Sequence, residues 1–195
     1  AGSVLNIENR YIMKTGFENV TNYFFKKAIE KQEYSMNKVV NPTTVAFYIV
    51  PMMNAIVRVG TMEEKERLFM SLIDGTQKVP SGKRGAKGTM EEVAIESLRE
   101  CTNARARQNR IIDGMVDSLE IKIHKHDLLE NKILFVRLDD DDRFPSEITG
   151  LVAMKLAAKF KRPTIVARLN KEGFNRGSMR GMNQSELTSF KDFLE

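Results

Sequence analysis

Cysteine is nearly absent. Cys101 is the only one in 195 residues, which excludes an internal disulfide and a thiolate-based zinc site and fits a reducing cytosol. Histidine is almost as scarce, with only His124 and His126. A His-x-His pair on a strand would aim both rings to one side, but Lys125 separates them and no third ligand stands out. No apolar run approaches the roughly 20 residues that span a bilayer. The N-terminus has no basic segment followed by an apolar stretch, so neither a membrane span nor a signal peptide is expected, and the expected location is the cytoplasm. Charge of one sign is only mildly in excess: 31 basic against 26 acidic residues leave +5, which permits a polyanionic partner without requiring one. Also missing are a carboxylate pair and a nucleophile with a base at convincing spacing, so no catalytic residue is assigned to this chain.

What is present can build a core, since 42% of the residues are hydrophobic. Residues 1–77 read as a mostly helical inter-domain region. Phe17, Val20, Phe24, Phe25, Ala28 and Ile29 recur at spacings of three and four, one helix face. The run 45–50 suits a buried strand or a buried helical turn. Thr61 with Glu63 and Glu64 marks a helix start. Residues 78–88, with three glycines, one proline and four basic residues, read as a flexible basic loop. Thr89, followed by Glu91 and Glu92, opens a long connecting helix over 89–116, its outer face carrying Arg99, Arg105, Arg107 and Arg110. Leu119, Ile121 and Ile123 alternate, leaving strand or helix open there.

The pattern then changes. Residues 132–138 form a strand, 148–160 a helix and 163–169 a second strand, which is a right-handed crossover between parallel strands. A loop or edge strand follows over 173–181, and 186–194 begin a helix inside which the chain stops. The expected class is therefore α/β: a helical segment and long helix, then a mixed or parallel sheet with flanking helices over 117–195, incomplete at its C-terminus.

The best site candidate is Gly177-Ser178-Met179-Arg180-Gly181, preceded by Arg176. Glycine lets backbone N–H groups approach an oxyanion, serine adds a hydroxyl donor, and arginine supplies a fork that matches phosphate. A polar hairpin is the plainer alternative. Asn54 and Arg58 are four apart in an apolar stretch, so on a helix they share a face. They would serve either a substrate or a structural network in which Asn54 caps a chain end and Arg58 meets a carboxylate. Arg105 and Arg107 could follow a phosphodiester backbone or simply face solvent. The acidic run 139–142 reads as a solvated turn, and Cys101 as core.

Together these segments resemble the RecJ-type single-strand-specific exonucleases of the DHH phosphoesterase superfamily. Residues 8–17 look like the family segment after the DHH domain. Pro51, Asn54, Ala55 and Arg58 match its Pro-Arg-Ile-Asn-Ala-Ala-Gly-Arg motif in order. Asn103 and Arg107 resemble its following helix. Gly150-Leu151-Val152-Ala153 matches its Gly-Ile-Val-Ala helix start, Arg162-Pro163 its turn into the next strand, and Gly177-Ser178-Met179-Arg180 its Gly-Ser-x-Arg segment. The chain departs from the family in having no Asp or Asp-His-His ligands and no Gly-Gly-His segment. It also has no histidine in residues 143–147, and Gly181 stands where serine is usual. The resemblance implies a fragment of an enzyme that hydrolyses single-stranded DNA from an end, with manganese or magnesium held by a DHH domain outside this chain. None would be bound by the chain alone. It further implies that Gly177, Ser178 and Arg180, with Arg176, hold a phosphate, and that Asn54 and Arg58 orient substrate or brace the domain junction. Tyr48, Phe144 and Phe174 are the candidates for base stacking. The alternatives are a phosphodiesterase for short oligonucleotides or cyclic dinucleotides, or a non-catalytic nucleic-acid-binding module.

Overall fold

Asparagine and threonine side chains start most of the helices of the N-terminal half. In the computed structural model, which describes residues 6–86, 88–139, 144–169, 173, 175–182 and 190–191, Asn6 caps α1 (Ile7–Glu18) and Asn22 caps α2 (Tyr23–Gln32). Asn41 and Thr44 form a reciprocal cap on α3 (Pro42–Thr44). Thr61 and Glu64 do the same for α5 (Met62–Ile73). Each cap satisfies N–H groups that the first helical turn leaves open. Between α3 and α4 (Val50–Val59) the chain makes one wide π turn, Val45–Ile49. The 45–50 run is thus helical rather than a strand. By length and hydropathy Pro42–Val59 would suffice to cross a membrane, contrary to the expectation that no segment would. Four of its residues, Ile49, Met52, Ala55 and Ile56, are core in this structure.

The chain divides into two compact units, Ala1–Arg107 and Gln108–Glu195. The core of the first gathers Phe24, Ala28, Met36, Ile49, Met52, Ile56, Leu68, Leu98 and Cys101. Burying each large side chain contributes about 1.5–3 kcal/mol.

Two boundaries differ from the expectation. Residues 78–88 are not simply a loop: β1 (Lys78–Pro80) pairs antiparallel with β2 (Met90–Glu92). The long helix α6 accordingly runs from Val93 to Lys125, not over 89–116, and Thr89 does not cap it. Its start is held by carbonyls, with the Val93 N–H donating to Gln77 and the Ala94 N–H to Gly75. At its other end Leu119 and Ile123 are buried and Ile121 is exposed. That is helical spacing, so the alternation was not a strand.

In the second unit β3 (Leu134–Leu138) pairs parallel with β4 (Thr164–Leu169), with α7 (Thr149–Phe160) between them in sequence. β5 (Asn175–Arg180) pairs antiparallel on the other side of β4, giving the order β3-β4-β5. The fold is α/β with a mixed sheet, as expected. Leu134, Val136 and Leu138 alternate into the core, and Val152, Leu156 and Ala157 of α7 are buried as well. The second half of α6 is tied to this unit by Lys159 to Glu120 at 2.5 Å, Lys122 to Asp139 at 2.6 Å and Lys155 to Asp113. Most of the helix expected over 186–194 and of the acidic run 139–142 lies outside the described residues.

Candidate nucleic-acid interface

The register of β5 builds the site. Arg176 lies opposite Arg168, Ser178 opposite Val166, and Arg180 opposite Thr164. Alternate residues of a strand share a face, so Arg176, Ser178 and Arg180 project to one side of the sheet. That side is the one α7 occupies. A Cβ at Gly150, in the first turn of α7, would lie 2.7 Å from Arg180 Nη2 and 3.4 Å from Ser178 Oγ. The hydroxyl and guanidinium therefore converge over a helix N-terminus, where aligned peptide dipoles amount to roughly half a positive charge. Glycine at 150 is what leaves room for them.

Gly177 also meets a packing requirement. A Cβ there would sit 2.1 Å from the Val166 carbonyl oxygen and 2.5 Å from Ala167 Cα. It allows β5 to lie close on β4, and so sets the height at which Ser178 and Arg180 stand. The Arg180 Nη1 donates to the Met179 carbonyl at 2.7 Å, which steadies an exposed side chain.

Next to this convergence is a cavity of about 280 Å³ lined by Leu138, Phe144, Ser146, Thr149, Arg168, Arg176, Gly177 and Ser178. It lies at the C-terminal end of β3, where open α/β sheets place ligands. Two arginines, two hydroxyls from Ser146 and Thr149, and Ser178 suit an anion. The volume accommodates a phosphate with its sugar better than a large cofactor. Of the aromatic candidates, Phe144 lines this cavity, Tyr48 packs against the first unit's core, and Phe174 lies outside the described residues.

Arg168, Ser146, Thr149 and Gly150 did not stand out from the sequence as site residues. The alternation of 164–169 was the available signal for Arg168, since it puts that residue on the same face as Val166. The hydroxyls join the site only because α7 begins beside β5.

Asn54 and Arg58 belong to the first unit. Asn54 is exposed on the rim of a groove of about 580 Å³, otherwise lined mainly by apolar side chains such as Met13, Phe17, Phe25 and Met53. Arg58 is half-buried. The structural network imagined for this pair is absent: among the described residues neither side chain has a hydrogen bond or an ion pair. Arg107 is engaged, its Nη2 meeting both Glu64 carboxylate oxygens at 2.8 and 2.6 Å. Arg105 is half-buried on α6. Cys101 is core, and burial pushes its thiol up to about 12. Among the described residues no three His, Cys, Asp or Glu side chains gather to hold a metal ion.

No family model matches the chain. Over 194 residues, 97% of its length, it is 34% identical to YorK of Bacillus subtilis, a prophage SPbeta-derived protein named as a single-strand DNA-specific exonuclease, and to its counterpart in Bacillus phage SPbeta. It is 26% identical to the single-stranded-DNA-specific exonuclease RecJ of Bacillus subtilis over 97% of this chain. The chain spans only 33% of YorK and 22% of that RecJ. A crystal structure of RecJ from Thermus thermophilus in complex with Mn2+ aligns with a TM-score of 0.48 and 18% identity, covering 72% of this chain and 18% of that one. Almost every residue of the chain thus aligns to YorK, and the chain is similar along nearly its whole length to about a third of that protein.

Proposed function

We propose that this chain is the strand-holding part of an exonuclease that hydrolyses phosphodiester bonds in single-stranded DNA. The observation that carries this reading is the convergence of Ser178 and Arg180 over Gly150 at the start of α7. Arg180 supplies a planar donor fork, Ser178 an adjustable hydroxyl, and the helix end a fixed positive potential, which together suit one backbone phosphate. Arg168 and Arg176 on the neighbouring cavity wall suit the next phosphate along. On this reading the divalent metals of hydrolysis belong to a part of the protein outside these 195 residues, and the chain by itself positions a strand without cleaving it. Asn54 and Arg58, on the first unit, are then available to substrate or to that other part.

The test is a titration of labelled oligo-dT at several salt concentrations. A hydrogen bond to a charged group contributes about 1.5–3 kcal/mol, so Arg180→Ala is expected to weaken binding roughly tenfold or more. It should also reduce the log–log salt slope by about 0.7. Equal affinity and slope for the variant would overturn the assignment.

A further inference from the structure

The basic residues between Lys78 and Arg110 are not equivalent. Lys78 meets Glu92 at 3.6 Å, Arg99 is held by Glu91 and Glu96, and Arg107 by Glu64. Lys83 and Arg84, at the tip of the β1–β2 hairpin, are exposed. Neither has a carboxylate partner among the described residues. The hairpin tip thus presents two adjacent cations to solvent.

The backbone under those two side chains is fixed. The Ser81 N–H donates to the Thr89 carbonyl at 2.9 Å, extending the β1–β2 ladder toward the tip. The Gly82 N–H donates to Glu96 Oε2 at 2.9 Å, and Glu96 is buried in the first turn of α6. A Cβ at Gly82 would stand 2.6 Å from Glu96 Oε1, so the loop lies directly on that carboxylate. The Lys83 N–H donates to Ser81 Oγ at 3.2 Å, and the Ala86 N–H closes the tip on the Lys83 carbonyl at 3.0 Å. Gly85 takes a φ of +83°, which an L side chain rarely adopts. With the backbone of the tip already held, only the two side chains are ordered when their cations meet a ligand, which limits the entropy that opposes the attraction.

We infer that the β1–β2 hairpin is a second contact for single-stranded nucleic acid, in which Lys83 and Arg84 each meet a backbone phosphate in addition to the one at Ser178 and Arg180. The inference rests on the proposed function. It assigns no base preference, because only phosphates are addressed. Its ligand is a polyanionic strand long enough to engage more than the Ser178–Arg180 site.

Oligo-dT binding by K83A/R84A decides the matter when run beside Arg180→Ala and the charge-preserving K83R/R84K. Each lost phosphate contact lowers the salt slope by about 0.7 for a single strand. The alanine pair should therefore lower it by about 1.4 and weaken binding roughly tenfold at low salt. The charge-preserving pair should keep both slope and affinity, and all three should melt as the parent chain does. If Arg180→Ala weakens binding while K83A/R84A changes neither slope nor affinity, the hairpin contact is wrong and the proposed function stands. If neither variant has an effect, both readings fall. A loss in K83R/R84K equal to that in the alanine pair would also overturn the hairpin contact, since charge would not be its cause.

Discussion

Glycine at 150 and glycine at 177 do opposite work, although both sit close together where β5 meets α7. Gly177 meets backbone that cannot move, with the Val166 carbonyl 2.1 Å from a hypothetical Cβ. Gly150 meets the far end of a flexible arginine, at 2.7 Å. Gly150→Ala is therefore expected to leave the fold intact and even to stabilise α7, by up to about 1 kcal/mol of helix propensity. It should at the same time push Arg180 aside and weaken oligo-dT binding severalfold. Measuring melting temperature and affinity on the same variant separates the two effects. Affinity that stays at the parent value would mean that Arg180 does not work from above Gly150. The motif around Gly177 was legible from residue types alone. The role of Gly177 was not, because a close approach of β5 to β4 depends on which strands pair.

At the scale of the element, the hairpin and the first turn of α6 share a pair of carboxylates. Burial pushes Glu96 above its ordinary value of 4.5, with its hydrogen bond to Glu91 adding to the rise, while the Gly82 N–H and Arg99 oppose it. Burial also acts upward on Glu91, but the Arg99 guanidinium outweighs it and holds Glu91 at about 2. The consequences for stability have opposite signs. Glu91's contribution is complete above pH 4.5 and is lost as pH falls toward 2. Glu96's contribution is complete below pH 4.5 and is lost as pH rises through its raised value. Glu96→Gln removes the second effect directly, leaving Arg99 to hold Glu91 low. The stability advantage of the parent chain over this variant should thus shrink as pH rises above about 4.5, as followed by thermal melts. An advantage that grows as pH rises above that value would contradict the arrangement. From local pattern, Glu91 and Glu92 belong in the first turn of a helix. They fall instead in β2, because Val93 and Ala94 find carbonyl partners at Gln77 and Gly75 and the helix need not start at Thr89. A local cap pattern cannot foresee partners that lie beyond the hairpin, well back in the chain.

For the whole molecule the decisive property is what its side chains do not assemble. Among the described residues there is no cluster able to hold a metal, and the net charge is only +5. Much of the conspicuous basic stretch is neutralised internally. On the proposed function, in which the metals lie outside these 195 residues, the chain is expected to bind oligo-dT with a shallow salt slope and to show no hydrolysis with added Mn2+ or Mg2+. A metal-dependent rise in melting temperature, or cleavage by the chain alone, would refute that expectation. The sequence by itself determined the strand–helix–strand unit, because residues 132–169 change hydrophobic period where the elements change. It also determined the helix start at Thr61, because a cap is made within three residues, and it carried the likeness to the RecJ-type exonucleases in short motifs. Only the tertiary structure decided which arginines remain available and which side chains converge. Ion pairing between Arg107 and Glu64, or between Arg99 and Glu91, and the meeting of Arg180 with Gly150, are set by how distant elements pack. Residue spacing along the chain carries no information about that.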